Sequence, residues 1–164
     1  MVKLKNLLFE LKMQVFSLRS GKQIDLNKIP KGRLKIKNNT RINKPEGAFW
    51  TSTQNRYGSD WIDYAKYNFP LDDKSVSALL LKPKSSKILY ISNDKDYDDV
   101  YEKFPNKKEK KQKWLDWEKI SKKYDGVNVS GDSLRRRDLQ YWDVESTAWF
   151  NMNALKIDKI IDID

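Results

Sequence analysis

The sequence contains no cysteine and no histidine. Without cysteine there are no disulfides, no thiolate zinc site and no cysteine nucleophile. Without histidine the chain lacks the commonest general base and the commonest metal ligand, and every Ser-His-Asp or Cys-His arrangement goes with it. Any catalysis must rest on Asp, Glu, Lys, Arg, Tyr, Ser or Thr, and nothing points to a metal. No apolar run approaches the roughly 20 residues that span a bilayer. Glu10, Lys12 and Gln14 interrupt the first apolar segment, which therefore does not read as a secretory signal. Neither a phosphate-binding Walker loop nor a dinucleotide-binding glycine fingerprint is present.

What remains is a chain of 164 residues, 12% aromatic and 34% charged, with a mean hydropathy of -0.83. That length suits a single domain able to bury a core unaided, and the composition implies a soluble, cytoplasmic protein. The net charge of +10 is unevenly placed. Residues 1–44 carry twelve basic side chains against Glu10 and Asp25, whereas the remainder holds 21 of each sign. A basic front on a neutral body favours encounter with polyanions such as nucleic acid, or with acidic proteins.

Leu4, Leu7, Leu8, Leu11, Val15 and Leu18 recur at helical spacing, which predicts an amphipathic helix over residues 2–18, followed by a loop to Gly32. The expected division is a basic helix and loop over 1–32 and a body over 33–164. Alternation predicts a strand over 33–37, a short strand is expected over 48–53, and runs too continuous in Leu and Ile for surface loops predict strands over 75–82 and 87–91. Ser59 reads as the N-cap of a short helix whose Trp61, Tyr64 and Ala65 face the core. A helix is expected over 94–104. The lysine run 107–113, a solvated helix start or loop or else a polyanion contact, leads into a second helix containing Trp114, Leu115, Trp117 and Ile120. Tyr124-Asp125-Gly126 reads as a turn with glycine at positive φ, Arg135-Arg136-Arg137 as a loop, and 154–163 as a strand or short helix. The fold class is α+β, a single domain with a small mixed or split sheet.

Residues 141–150 place two carboxylates in a run that otherwise suits a buried strand. Alternation puts Val144, Ser146, Ala148 and Phe150 on one face and Asp143, Glu145, Thr147 and Trp149 on the other. Carboxylates are unfavourable on strands and need partners when buried. The pair therefore marks either a face open to water or a polar cleft.

The polar strand Gly47-Ala48-Phe49-Trp50-Thr51-Ser52-Thr53, the downstream Tyr124-Asp125-Gly126 turn and the Asp143-Val144-Glu145 strand ending in Trp149-Phe150-Asn151 resemble, in that order, the ADP-ribosyltransferase fold. The resemblance covers about residues 33–160 and is to small phage and toxin-like members of the arginine, serine, glutamate class. It implies NAD as co-substrate and a host-cytoplasmic location for a phage-encoded chain. It also implies an early-strand arginine on the NAD phosphates, Arg33 in preference to Arg41. Ser52, within Thr51-Ser52-Thr53, would shape the nicotinamide pocket, and Glu145 would orient the ribose and stabilise an oxocarbenium. Asp143 stands where the family commonly has Glu or Gln. Trp50 and Tyr57 are candidates to stack on nicotinamide or adenine, as is Trp61, for which core packing is the better expectation. The missing histidine argues against the sister class that holds NAD with His and Tyr. The expected function is mono-ADP-ribosyl transfer from NAD to a protein or nucleic-acid acceptor. The alternative is a non-enzymatic module holding nucleic acid or an acidic protein through residues 1–44 and the lysine run.

Overall fold

A computed structural model describes residues 13–17, 24–55, 58–68, 76–84 and 87–163. Ten strands follow one another along the described chain: β1 (Gln14–Ser17), β2 (Lys37–Asn38), β3 (Pro45–Glu46), β4 (Phe49–Asn55), β5 (Gly58–Ser59), β6 (Val76–Pro83), β7 (Ile88–Ile91), β8 (Gly126–Val129), β9 (Ser146–Trp149) and β10 (Leu155–Ile163). Three α-helices accompany them: α1 (Asp60–Asn68), α2 (Asp94–Lys103) and α3 (Trp117–Lys123). The main sheet runs β10-β6-β1-β4-β9-β8-β7, with β5 folded back on β4, while β2 and β3 make a separate ribbon. Every neighbouring pair is antiparallel except β7 and β8. A parallel pair needs a long crossover, and here it carries α2 and α3. The fold is α+β with a mixed sheet, as the order of sequence periodicities implies.

Each face of the sheet has its own core. Ile91, Val127, Val129, Ala148 and Phe150 pack against Tyr97 and Val100 of α2, Trp117 and Ile120 of α3, and the indole of Trp142. On the opposite face Phe49, Leu79, Leu81 and Trp149 meet Ile24, Met152 and Leu155. A smaller cluster joins Val15, Ala78 and Leu80 to Ile62 of α1.

Several local expectations change. The predicted first helix covers Gln14–Ser17, which instead form β1 in the middle of the sheet, between β4 and β6; residues 2–12 and Leu18 lie outside the described residues. Val15 fits the helical spacing, but in the strand Val15 and Phe16 point to opposite faces and each reaches an apolar cluster, so tertiary pairing decides. Phe16 stacks on Phe49 at 4.8 Å. The strand expected over 33–37 is an extended segment in which Arg33 bridges Asn151 and only Lys37 enters β2. In α1 the buried side chain is Ile62, whereas Tyr64 is exposed and Trp61 half-buried; the Ala65 side chain lies outside the described residues. Ser59 does accept a hydrogen bond from the Ile62 N–H, at 3.3 Å. Helix α3 starts three residues later than Trp114, because the Asp116 side chain caps it by accepting from the Lys119 N–H.

Gly126 is not at positive φ. It opens β8, and a Cβ there would lie 3.0 Å from the Ala148 oxygen and 3.3 Å from the Trp149 ring. Close packing between strands explains this glycine. The run expected as a strand from Tyr141 becomes regular only at Ser146, where pairing with β4 and β8 begins. No helix among the described residues is long and apolar enough to cross a membrane.

Candidate functional site

Strand β4 is longer than its neighbour β9. The two pair from Phe49↔Trp149 to Thr51↔Thr147, after which β9 has run out of regular backbone. The next inward N–H of β4, on Thr53, would lose its partner there. Glu145, one residue before β9, supplies the acceptor: its Oε2 takes the Thr53 N–H at 2.8 Å and the Ser52 hydroxyl at 2.9 Å. Its Oε1 takes the Thr53 hydroxyl at 2.8 Å and the Asn128 side-chain amide of β8. The carboxylate thus sits at the end of β9, bridging β4 to β8, with four donors around it.

A polar belt extends from this point across one sheet face. Alternation puts Thr51 and Thr53 on that face and Trp50 and Ser52 on the other. Gln14 of β1 accepts from the Thr51 hydroxyl at 2.7 Å and donates to Thr53 at 3.2 Å. The Trp149 indole N–H donates to Thr51 at 2.8 Å, and Asn128 donates to Thr147 at 2.9 Å. Gln14, Thr51, Ser52, Asn128 and Thr147 are all buried. Buried polar groups are normally paired, and one here is not: the Asn128 Oδ1 has no hydrogen-bond partner among the described residues.

Among the described residues no lysine or arginine pairs with Glu145. Among the described residues its charge meets hydrogen-bond donors alone. On the Ser52 face, the Trp61 indole donates to the Ser146 hydroxyl at 2.8 Å, so this half-buried ring lies beside the residue that follows Glu145. Trp50 meets Trp142 edge-on at 4.9 Å, with the Lys44 ammonium 4.9 Å above its ring. Burial pushes the Lys44 pKa below its ordinary value, and the charge of Asp143 partly opposes that shift.

The structure therefore brings Thr51, Ser52, Thr53 and Glu145 together and leaves other sequence candidates apart. Asp143 is exposed and does not share the Glu145 cluster. Arg33 lies toward the opposite end of β8, where its guanidinium donates to the Ser121 and Tyr124 carbonyls and to Asp125 Oδ1. Asp125 in turn accepts from Asn151 and from the Lys87 N–H. The Tyr124-Asp125-Gly126 turn and Arg33 together tie β7, β8 and the chain after β9. Arg41 is exposed in the turn before β3, where its N–H donates to Asn39. Tyr57 lies outside the described residues.

Asn128, Thr147 and Lys44 were missed by sequence reasoning. The available signal was a polar residue between two valines, Val127-Asn128-Val129, on a strand that is buried throughout. The arginine triplet has a different setting, a cleft of about 450 Å³ lined by Asp94, Asp132, Arg135, Arg136, Arg137 and Asp138. Arg136 there contacts Asp94, Asp98 and Asp138 and lies over the Tyr97 ring. None of these residues belongs to the Glu145 cluster.

Comparison with protein-family models, with curated proteins and with solved structures finds no match to this chain.

Proposed function

We propose that this chain is a mono-ADP-ribosyltransferase that breaks the bond between nicotinamide and ribose in NAD and passes ADP-ribose to a macromolecular nucleophile. The observation that carries the reading is the Ser52–Glu145 pair: an anion fixed at the end of a strand and compensated, among the described residues, by neutral donors. As the glycosidic bond lengthens, its electrons leave with nicotinamide and positive charge grows on the ribose. An unneutralised carboxylate favours that state over the ground state. Two of its four donors are hydroxyls that can rotate, so a ribose hydroxyl can take the place of Ser52 or Thr53. The acceptor's lone pair then forms the bond to the ribose carbon as nicotinamide departs with the electrons of the old one, and the acceptor's proton passes to water. Trp50 and Trp61 are the aromatic surfaces on the Ser52 side, and Lys44 is the cation held there over Trp50.

The test is release of nicotinamide from labelled NAD, with and without protein, DNA or RNA acceptors, by the wild type, Glu145→Gln and Ser52→Ala. The expected result is turnover by the wild type and loss of at least about 100-fold in Glu145→Gln, the scale of removing one transition-state charge partner. No release by the wild type, or equal release by Glu145→Gln, would overturn the reading.

A non-enzymatic binding module is the second reading. It is favoured by the same carboxylate, whose four acceptor positions are already filled, and by the placement of Arg33 and Arg41 away from it. In that case Glu145 is a strut between β4 and β8.

A further inference from the structure

The lysine run becomes, in the folded chain, a loop with a fixed shape between α2 and α3. Its base is closed by backbone bonds: Asp116 N–H to the Phe104 oxygen at 2.8 Å, and Asn106 N–H to the Trp114 oxygen at 2.9 Å. Above the base, Asn106 caps the first turn by accepting from the Lys108 N–H at 3.1 Å, and Glu109 accepts from the Lys111 N–H at 2.7 Å. Asn106, Trp114 and Leu115 are buried and anchor both ends. The loop's one carboxylate is thus engaged with backbone. Lys107, Lys108, Lys110 and Lys111 are exposed, and none of them pairs with a carboxylate among the described residues. Lys103 ends α2 beside the base, and Lys123 lies 5.2 Å over the Phe104 ring.

Like charges this dense repel one another and would spread an untethered loop. Here hydrogen bonds hold the backbone in place while no carboxylate among the described residues pairs with these ammonium groups. The partner must supply several negative charges in a row. Protein interfaces are depleted in lysine and built around aromatic or arginine anchors. Membrane-surface elements bring an apolar face with their charge. No large hydrophobic side chain is exposed on this loop.

We infer that the loop over residues 107–111 is a docking ridge for the phosphodiester backbone of a nucleic acid, bound without base selectivity. This inference does not rest on the chemistry of Glu145 and holds for either functional reading. Four phosphate contacts give a slope of about -3.6 in log affinity against log salt, a loss of roughly 100- to 200-fold between about 50 and 200 mM salt.

The experiment measures anisotropy of a labelled mixed-sequence DNA duplex over that salt range, using the full chain. The ridge variant replaces Lys107, Lys108, Lys110 and Lys111 by Gln; the control replaces the exposed Lys82, Lys84, Lys156 and Lys159 by Gln and removes equal charge outside both the ridge and residues 1–44. The ridge variant should flatten the salt slope by about 3 to 4 while the control changes it by less than about 1. Circular dichroism should show both variants folded, as expected for exposed lysines. The inference is overturned if the wild type does not bind duplex at low salt, if the ridge variant keeps the wild-type slope, if the control loses as much, or if phosphatidylserine vesicles are bound more tightly than DNA.

Discussion

Replacing Glu145 by Ala and by Gln separates its role in stability from any role in chemistry. In Glu145→Ala the Thr53 N–H and the Asn128 amide both lose their acceptor in a buried setting, while Ser52 and Thr53 can turn their hydroxyls elsewhere. Each orphaned buried donor costs about 1–3 kcal/mol, so the Ala variant should lose about 3–4 kcal/mol in total. Glu145→Gln differs, because the site contains a spare acceptor. If the new amide nitrogen faces Asn128, that side chain can flip and present Oδ1, which now has no partner, while the Thr147 hydroxyl turns to donate. The Gln oxygen keeps the Thr53 N–H. The flip also turns the Asn128 nitrogen to the buried position where Oδ1 had no partner, so with the loss of charge-assisted bonding the Gln variant should lose about 2 kcal/mol. At about 2–4 °C per kcal/mol for a chain of this size, the Ala variant should melt roughly 6–16 °C lower and the Gln variant roughly 4–8 °C lower. Thermal unfolding followed by circular dichroism at neutral pH reads both. Equal melting of the two variants would refute the donor argument, as would an Ala variant within about 2 °C of wild type.

Asn43 is the second test of buried polar pairing. Its side chain donates to the Tyr97 hydroxyl and the Asp138 carbonyl, and accepts from the Leu115 N–H and the Trp117 indole. Asn43→Ala should lower stability by about 3 kcal/mol in urea unfolding, since several of these groups are left buried and unpaired; a change below about 1 kcal/mol would count against it. Asp116 tests a titration. Burial alone would raise its pKa, but hydrogen bonds from Lys119 and Asn38 outweigh it, and the carboxyl is held below its ordinary value. Such a group stabilises the folded state above its unfolded pKa, near 3.9, and that contribution disappears as pH falls through the lower folded value. The stability gap between wild type and Asp116→Asn, measured in urea, should be full near neutral pH and shrink below about pH 4. A gap constant across that range would refute the assignment.

Much of the scaffold was legible in the residues themselves. Short apolar runs marked β4, β6 and β7, the Ser59 cap marked α1, a helix was expected where α2 forms, and the order of periods implied α+β with a mixed or split sheet. These signals are local and come from backbone geometry and the solvent preference of adjacent side chains. Two kinds of feature were not local. Gln14–Ser17 fit either a helix or a strand, and only the open edges of β4 and β6 settled the choice. Gly126 looked like a turn glycine, but the approach of Ala148 and Trp149, 22 and 23 residues further along the chain, accounts for it.

The candidate site divides in the same way. The residues themselves singled out Asp143 and Glu145, because carboxylates in a run that suits a buried strand are chemically out of place and invite a question about their partners; Ser52 entered through the family resemblance. Tertiary structure decided what those partners are. The register that ends β9 before β4 leaves one N–H to be satisfied, and that vacancy, with Asn128 approaching from β8, fixes Glu145 where it is. The same register leaves Asp143 in solvent, and the Asp125 turn draws Arg33 to the other end of the sheet. Residue types determine which groups can carry charge or donate hydrogen bonds; strand register, which depends on contacts distant in sequence, determines which of them meet.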